Sequence, residues 1–264
     1  MKIGFIGLGN MANAIIGGML KQDLIDPKDI SGSAKTEATA EKMRQQYGIC
    51  AGTDNRAVAS EADYLFLAVK PVYFPEVIGE IKDVVRENTV VISIAAGKTM
   101  AYIEELFGRS IKLLRCMPNT PALVGEGCTA YTRGPFVTDE EAEQAEELLR
   151  SFGTVSHVPE NLMDAVVGVS GSSPAYVFLF IEAMADAAVL AGMPRKQAYE
   201  MAAQSVLGSA KMVLETGMHP GALKDMVCSP GGTTIEAVQV LEEKGMRAAV
   251  MSAMEACIEK SKNL

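Results

Sequence analysis

The first twelve residues of the chain constrain its fold more than any other segment. A short apolar run, Ile3–Ile6, leads directly into the pattern Gly7-x-Gly9-x-x-Ala12, and an apolar helical stretch follows over residues 14–20. A strand that turns through such glycines into a helix lets the backbone approach a pyrophosphate, which the first N–H groups of the helix then face. The opening therefore predicts a dinucleotide-binding βα unit, with a ligand-free glycine turn as the alternative.

The end of the second predicted strand, around Asp29–Ser31, indicates which dinucleotide is bound. An NAD-preferring site usually carries an Asp or Glu there for the ribose 2′-hydroxyl, but no acid lies between Ile30 and Thr36. Ser33 and Lys35 stand in that place, a hydroxyl and a cation that suit a 2′-phosphate. We therefore expect NADPH to be preferred, with NADH as the second option. Lys35 as an ordinary solvated lysine is the alternative.

Composition and charge narrow the classes of partner. The formal net charge of −9 argues against nucleic acid and against an anionic membrane surface. The five cysteines form no C-x-x-C pair, which is typical of a reduced, cytoplasmic protein. His157 and His219 have no companion ligands, so we expect no metal site. We also expect neither a signal peptide nor a run of the roughly 18 apolar residues that crosses a membrane.

Short apolar runs alternate with helical patterns up to about residue 158. The predicted strands are Ile3–Ile6, Ile30–Ser31, Ile49–Cys50, Tyr64–Val69, Thr89–Ile94, Ile111–Cys116, Cys128–Thr132 and Thr154–Val158. The predicted helices among them are Asn13–Lys21, Thr36–Tyr47, Pro75–Arg86, Met100–Phe107 and Glu140–Phe152. This order predicts an α/β fold with a Rossmann-like, doubly wound parallel sheet and a cofactor at the carboxyl ends of its strands.

The chain changes character after Glu160, where the strand signals stop. Helices rich in Ala, Met and Leu are predicted over Ala175–Ala191, Arg195–Glu215, Thr234–Glu243 and Met246–Lys260. Because such helices bury more than one face, we expect part of their surface to meet a second subunit; a monomer with helices packed on the sheet is the alternative. We thus expect an NADP-binding Rossmann-like domain over residues 1–159 and an all-α dimerisation and substrate-binding domain over residues 160–264.

Loops after the predicted strands are the next candidates for the cofactor site. Ala68–Pro71 and Ala95–Gly97 follow the fourth and fifth strands, and their small residues and proline admit a flat nicotinamide ring. Lys70 is a candidate proton donor, with a ribose contact or a structural role as alternatives. Asn55 lies where a loop can reach the adenosine half, or it caps the short helix that follows.

Two hydroxyl-rich loops stand out in the helical half, Ser170–Ala175 and Ser229–Thr234. Each ends at a predicted helix N-terminus, which presents N–H donors and the positive end of the helix dipole to an anion. The second loop, with Gly231 and Gly232 before two threonines, suits a carboxylate. Helix caps and tight turns without a ligand are the alternative.

Several segments together resemble the pyrroline-5-carboxylate reductase family. They are Phe5–Ala12, Leu67–Pro71, Arg115–Pro121, Ser170–Tyr176, His219–Gly221 and Ser229–Thr234. The resemblance runs from residue 1 to about residue 260, and the Ser-Pro-Gly-Gly loop is its most specific part. Ser173 and Thr233 depart from the commoner Gly and Ala, and neither change removes a hydrogen-bond donor.

The resemblance implies reduction of the imine of 1-pyrroline-5-carboxylate to L-proline by NAD(P)H, the last step of proline biosynthesis. It also implies a homodimer through the helical domain, with dimers assembled into a decamer. By this similarity the cofactor residues are Ile6, Gly7, Leu8, Gly9, Asn10, Met11, Ser33, Lys35, Asn55, Ala68, Val69, Lys70, Pro71, Ala95, Ala96 and Gly97. The substrate residues are Glu160, Ser229, Gly231, Gly232, Thr233 and Thr234.

Within that set, Thr234 would lie near the ring nitrogen as the catalytic hydroxyl. Glu160 matches a position in the substrate pocket, with a carboxylate at a helix N-terminus as its alternative role. An imine is already a good electrophile once its nitrogen is protonated, so the protein has mainly to orient the reactants. This agrees with the absence of a His or carboxylate dyad at the predicted strand ends.

Two other functions remain open on the sequence. A β-hydroxyacid-dehydrogenase-like oxidoreductase also begins with a glycine turn, but it would need a catalytic lysine on the interdomain helix, and residues 175–191 contain none. A non-catalytic NADP-binding sensor would keep the glycines and could lose the Ser-Pro-Gly-Gly loop, which is intact here.

Overall fold

Eight strands form one sheet in the computed structural model, which describes residues 1–263. The strands are β1 (Ile3–Ile6), β2 (Ile30–Ser33), β3 (Cys50–Gly52), β4 (Tyr64–Leu67), β5 (Val90–Ser93), β6 (Lys112–Met117), β7 (Gly127–Arg133) and β8 (Gly153–His157). Their order across the sheet is β3-β2-β1-β4-β5-β6-β7-β8. All eight predicted strands are present, and the predicted α/β, Rossmann-like class is confirmed.

One strand pair departs from the predicted parallel sheet. β7 runs antiparallel to β6, whereas every other neighbouring pair is parallel. The connection between them, residues 118–126, contains only a short 3₁₀ turn, Thr120–Val124. A parallel pair needs a crossover of about a dozen residues or more, so this short connection favours the antiparallel arrangement.

The helices follow the predicted pattern, except that the helix predicted over Pro75–Arg86 ends at Ile81. The chain first forms α1 (Asn10–Lys21), α2 (Glu37–Tyr47), α3 (Asn55–Glu61), α4 (Phe74–Ile81), α5 (Met100–Phe107), α6 (Asp139–Arg150) and α7 (Met163–Val166). It then forms α8 (Ser173–Leu190), α9 (Arg195–Thr216), α10 (Pro220–Val227), α11 (Thr233–Glu243) and α12 (Met246–Lys262). The sequence pattern did not predict α10, which begins after His219, whose Nδ1 accepts a hydrogen bond from the Gly221 N–H at 3.0 Å.

The chain divides into two units. The first comprises residues 1–172 and the end of the chain from Cys257, and the second comprises Ser173–Ala256. The boundary predicted after residue 159 lies inside the first unit, and as a statement about domains it stays a prediction.

The first unit has an apolar core on each side of its sheet. Ile3 and Phe5 of β1 belong to one core, whereas Ile6 belongs to the other. Phe5 stacks on Phe66 of β4, with ring centroids 4.7 Å apart. Successive strand residues point to opposite faces, and helices cover both faces, which is why these strands read as continuous apolar runs.

The stretch predicted as a loop at Ser170–Ala175 is helical. Residues Val167–Gly171 form a π-helical turn between α7 and α8. Pro174 has no N–H to donate to the Ser170 carbonyl four residues earlier, and the Asn119 side chain donates to that carbonyl instead, at 3.0 Å. The expectation of a loop is therefore wrong, because the π-helical turn runs to Gly171 and α8 begins at Ser173.

The second unit consists of helices. α8 packs against α9, and the buried apolar residues of the unit are three alanines, Ala185, Ala198 and Ala202. Large apolar side chains are exposed on α8, among them Phe178 at 62% and Leu179 at 68%. By length and composition, the helical stretch over residues 160–190 could cross a membrane. The expectation that no stretch would meet that criterion is therefore wrong.

Candidate active site

The glycine turn at the end of β1 has the geometry that the sequence predicts. Gly7 has φ +97°, in the left-handed region, and its N–H donates to the Ser33 carbonyl at 2.9 Å. A Cβ on Gly7 would lie 2.7 Å from the Ala68 carbonyl oxygen, so only glycine fits. A Cβ on Gly9, in contrast, would have no protein atom within 4 Å.

The N-terminus of α1 opens beside this turn. Gly9 is the N-cap of α1, no capping side chain accepts from the first N–H groups of the helix, and the first turn has no acidic residue. The first N–H groups of a helix lack intrahelical partners. Together with the open space at Gly9, they form a place where an anion such as a pyrophosphate fits.

A cavity of about 480 Å³ extends from the glycine turn along the carboxyl ends of β1, β2 and β4. Eight of the predicted cofactor residues line it: Gly7, Leu8, Gly9, Ser33, Lys35, Asn55, Val69 and Lys70. The other predicted residues near the turn do not line the cavity itself; these are Ile6, Asn10, Met11, Ala68 and Pro71. Ile6 is fully buried in the core, and its carbonyl accepts from the Ala68 N–H at 2.8 Å.

The far end of the cavity contains the residues predicted to recognise the 2′ position. The Ser33 side chain is buried, and its hydroxyl donates to Asn55 Oδ1 at 2.6 Å. Asn55 Nδ2 in turn donates to Glu80 Oε2 at 2.6 Å. Lys35 is exposed, with Nζ 5.6 Å from the centre of the Tyr73 ring. The predicted cation is thus present, whereas the Ser33 hydroxyl already has a protein acceptor.

One wall of this cavity was not predicted from the sequence. Tyr73, Glu76, Val77 and Glu80 line it from α4 and the turn before it. These positions follow the i, i+3, i+4, i+7 spacing of one helical face. The signal was present in the predicted helix Pro75–Arg86, but nothing in the sequence showed which strand end that face would meet.

The loop between β5 and α5 contains Ala95, Ala96 and Gly97. Ala95 is buried, and Gly97 has φ +71°. These residues do not line the cavity described above, so their predicted contact with the nicotinamide half stays a prediction.

Glu160 has protein partners beside this loop. Its Oε1 accepts from the Met100 N–H at 2.7 Å, at the start of α5, and from Arg115 of β6 at 3.0 Å. The Arg115 side chain is nearly buried, and Glu160 is about one-third exposed. Glu160 therefore joins β6 to the N-terminus of α5, which is close to the alternative role that the sequence analysis considered. Its predicted place in the substrate pocket stays a prediction.

Other titratable groups near the strand ends do not suit nucleophilic catalysis. Burial raises the pKa of the Cys116 thiol, which keeps it protonated. Burial, together with the hydrogen bond to Glu146, raises the pKa of Tyr131 to about 12. Across residues 1–263, no group of three or more His, Cys, Asp or Glu side chains is placed to hold a metal ion.

The predicted substrate loop is in the second unit. The Gly232 N–H donates to the Ser229 carbonyl at 3.0 Å, and Gly231 has φ +67° after Pro230, which fits a type II turn. Gly232 is the N-cap of α11, with no side-chain hydrogen bond to the cap. Thr234, in the first turn of α11, is half-buried. This helix start therefore has N–H donors and a threonine hydroxyl side by side.

Together, the fold and the first-unit cavity define a class of protein, the dinucleotide-binding proteins with a Rossmann-like sheet. Comparison with known proteins narrows that class. The family model described as pyrroline-5-carboxylate reductase dimerisation matches residues 160–264. A second model, described as NADP oxidoreductase coenzyme F420-dependent, matches residues 2–97.

Relatives cover the whole chain. The pyrroline-5-carboxylate reductase of Escherichia coli (strain K12) is 54% identical over 263 residues, which is 100% of this chain and 98% of that one. A pyrroline-5-carboxylate reductase structure from Coxiella burnetii superposes with a TM-score of 0.92 at 36% identity, over 99% of this chain and 97% of that chain. The Plasmodium falciparum pyrroline carboxylate reductase with NADP bound gives 0.91 at 32% identity, over 100% and 97%. The chain belongs to the pyrroline-5-carboxylate reductase family.

Proposed function

We propose that this chain reduces the C=N bond of 1-pyrroline-5-carboxylate to give L-proline, the last step of proline biosynthesis, with NADPH as the reductant and NADH as the second option. The observation that carries the proposal is the 54% identity to a pyrroline-5-carboxylate reductase along the whole chain. The glycine turn and its cavity supply the matching cofactor site in the first unit.

The residues of the cavity fit a dinucleotide. The N-terminus of α1 and the space beside Gly9 would hold the pyrophosphate, and Lys35 with Asn55 would bind at the 2′ end. Val69 and Lys70 would line the path toward the nicotinamide half. When bound, the cofactor supplies the hydride.

The loop Ser229–Thr234 would hold the substrate carboxylate. Its type II turn and the N–H groups at the start of α11 provide several donors and the positive end of the helix dipole, without a charged side chain. The Thr234 hydroxyl would then hydrogen-bond the ring nitrogen and keep the imine in one orientation.

The chemistry requires little acid–base catalysis from the protein. A protonated imine is strongly electrophilic, so correct placement of the reacting carbon at about 3–3.5 Å from the hydride donor gives much of the acceleration. Thr234 orients the nitrogen and can relay a proton from solvent, although a hydroxyl alone is a poor acid near neutral pH.

The assembly is a homo-oligomer, because the family's dimerisation model covers residues 160–264. We propose that it is a homodimer formed through the helical region, and that dimers assemble into a decamer in the cytoplasm, without a nucleic-acid or membrane partner. The net charge of −9 supports the last point. Light scattering on the purified protein distinguishes a dimer from a decamer by molar mass.

The test of the activity is loss of the reduced-nicotinamide absorbance when purified protein is mixed with 1-pyrroline-5-carboxylate, repeated with NADPH and with NADH. We expect turnover with stoichiometric formation of proline. Binding of NADPH without turnover would contradict the proposal and favour a sensor, whereas oxidation of a β-hydroxyacid would favour the dehydrogenase class. The absence of lysine from α8 speaks against that class.

A further inference from the structure

Three side chains from three elements form a hydrogen-bonded chain along the cavity wall. Ser33 ends β2, Asn55 begins α3, and Glu80 lies near the end of α4. Ser33 Oγ lies 2.6 Å from Asn55 Oδ1, and Asn55 Nδ2 lies 2.6 Å from Glu80 Oε2. All three residues line the cavity at the end where the 2′ substituent of the adenine ribose is expected.

Glu80 fixes the direction of every hydrogen bond in this chain. A carboxylate only accepts hydrogen bonds, so the amide nitrogen of Asn55 has to face Glu80. The amide oxygen of Asn55 then faces Ser33, and the hydroxyl proton of Ser33 is used on that oxygen. Ser33 is fully buried in the cavity wall, and its oxygen keeps lone pairs for a hydrogen-bond donor that reaches it.

This direction of the hydrogen bonds suits the ribose of NADH, which has a 2′-hydroxyl, better than the 2′-phosphorylated ribose of NADPH. A 2′-hydroxyl can donate to the Ser33 oxygen, whereas a 2′-phosphate dianion has only acceptor atoms and finds no proton there. Charge acts in the same direction, because Glu76 and Glu80 line the cavity and oppose the attraction of Lys35 and Lys70 for a phosphate.

We propose that Glu80 is a positioning residue for cofactor choice: through Asn55 it holds Ser33 as an acceptor, and so favours NADH relative to NADPH. The inference rests on the proposed function, since it assumes that this cavity binds the dinucleotide. It predicts that the protein prefers NADPH over NADH by a smaller factor than Lys35 alone would give.

The substitution Glu80→Gln can reverse the direction of the hydrogen bonds from residue 80 through Asn55 to Ser33, with little change in side-chain shape. A glutamine amide can donate to Asn55 Oδ1, so the Asn55 amide can turn and donate to Ser33. The Ser33 proton is then free for a 2′-phosphate, which is a stronger acceptor than the Phe5 carbonyl 3.5 Å away. Glu80 is exposed, so the substitution leaves the core unchanged.

The experiment is calorimetric titration of the full-length protein with NADPH and with NADH. For Glu80→Gln we expect the NADPH:NADH affinity ratio to rise about tenfold, which is the effect of one charge-assisted hydrogen bond. Glu76→Gln is the matched control, because it removes an equal charge one turn earlier on α4 and leaves the Asn55–Glu80 contact in place. We expect its ratio to change less than about threefold.

A double variant isolates the route through Asn55. In an Asn55→Ala background, Glu80→Gln should change the NADPH:NADH affinity ratio no more than Glu76→Gln does. The Asn55→Ala substitution has already removed the hydrogen bonds that connect Glu80 to Ser33. Equal ratios for the two glutamine variants in the native background, or an unchanged ratio for Glu80→Gln, would overturn the inference alone. Failure of the unsubstituted protein to bind either nucleotide would overturn the proposed function as well.

Discussion

The two units of the chain bury apolar surface in different ways. The first covers both faces of its sheet with its own helices and has fully buried Phe, Ile and Leu side chains on both sides. In the second, the buried apolar residues among those described are three alanines, while large apolar side chains stay exposed on its helices. The first unit thus completes its core within one chain, and the second has an apolar surface that a second copy can cover.

This difference explains the apparent membrane-like character of residues 160–190. Exposed Phe and Leu on α8 are expected of a surface that meets another subunit. The family model named for dimerisation covers the same residues. An apolar helix in this chain is therefore better understood as an oligomer interface.

The largest expected effect comes from charging that surface. Phe178→Asp combined with Leu179→Asp places two carboxylates on the exposed face of α8. We expect subunit association to weaken by more than about a hundredfold, since apolar residues at interfaces often contribute about 2 kcal/mol or more each. Light scattering at micromolar protein concentration measures the change.

The matched control is Phe136→Asp in the first unit. Phe136 is also a large apolar residue, 51% exposed, but it lies outside the dimerisation region. We expect the Phe136→Asp variant to form an assembly of the same molar mass as the unsubstituted protein. Equal dissociation by both variants would show that the comparison between the two units is mistaken.

The next effect separates two glycines of the same turn. Gly7→Ala places a methyl group 2.7 Å from the Ala68 carbonyl oxygen at φ +97°. We expect the free energy of unfolding to fall by about 3 kcal/mol, from strain and steric overlap. Gly9→Ala meets no protein atom within 4 Å, so its unfolding free energy should fall by no more than about 1 kcal/mol, the cost of alanine at an N-cap.

NADPH binding provides the second half of that test. Gly9→Ala should weaken NADPH binding by about tenfold or more, because its methyl group occupies space reserved for the pyrophosphate. Chemical denaturation and calorimetric titration measure the two quantities. A Gly9→Ala protein that binds NADPH normally would place the pyrophosphate elsewhere.

The smallest effect concerns an ion pair inside the first unit. Burial alone would raise the pKa of Glu141, but the hydrogen bonds from Lys112 of β6 and from the Thr138 N–H, together with the Lys112 charge, outweigh burial and lower the pKa below the usual value. A lowered folded-state pKa adds stability above the unfolded-state pKa, and this stability is lost as the pH falls through the folded-state pKa. Glu141→Gln should therefore cost about 1 kcal/mol at neutral pH, and this cost should disappear only when the pH has fallen through the lowered folded-state pKa.

An exposed pair in the second unit is the control for that pH dependence. Lys211 and Glu215 are both about two-thirds exposed and 3.4 Å apart. Because solvent screens such pairs, Glu215→Gln should change the melting temperature little at either pH. The measurement is thermal unfolding of both variants across the acid range, and equal pH dependence would remove the distinction.

Most of the fold could be predicted from the sequence because burial leaves a periodic pattern. Strands covered on both sides appear as apolar runs, and helix ends such as Thr99 before α5 and Gly108 after it have recognisable capping residues. The antiparallel pair β6–β7 was not predicted. The sequence between the two strands contains no predicted helix, and this indication of an antiparallel pair was not used.

The site could be predicted only where the backbone determines it. Gly7 and Gly9 follow from the turn itself, whereas Glu80 reaches the cavity from a helix distant in sequence. The partners of Glu160 and the hydrogen bond from Asn119 to Ser170 likewise depend on long-range packing. No local pattern contains that information.

The most direct test of the account is the effect of Thr234→Ala on turnover and on NADPH affinity, with Thr234→Ser as the variant that keeps the hydroxyl. In the proposed function Thr234 contacts the substrate, whereas the first-unit cavity holds the cofactor. We therefore expect that kcat falls about a hundredfold while the Kd for NADPH changes less than about twofold, and that serine restores most of the activity. Unchanged turnover, or a parallel loss of NADPH affinity, would contradict it.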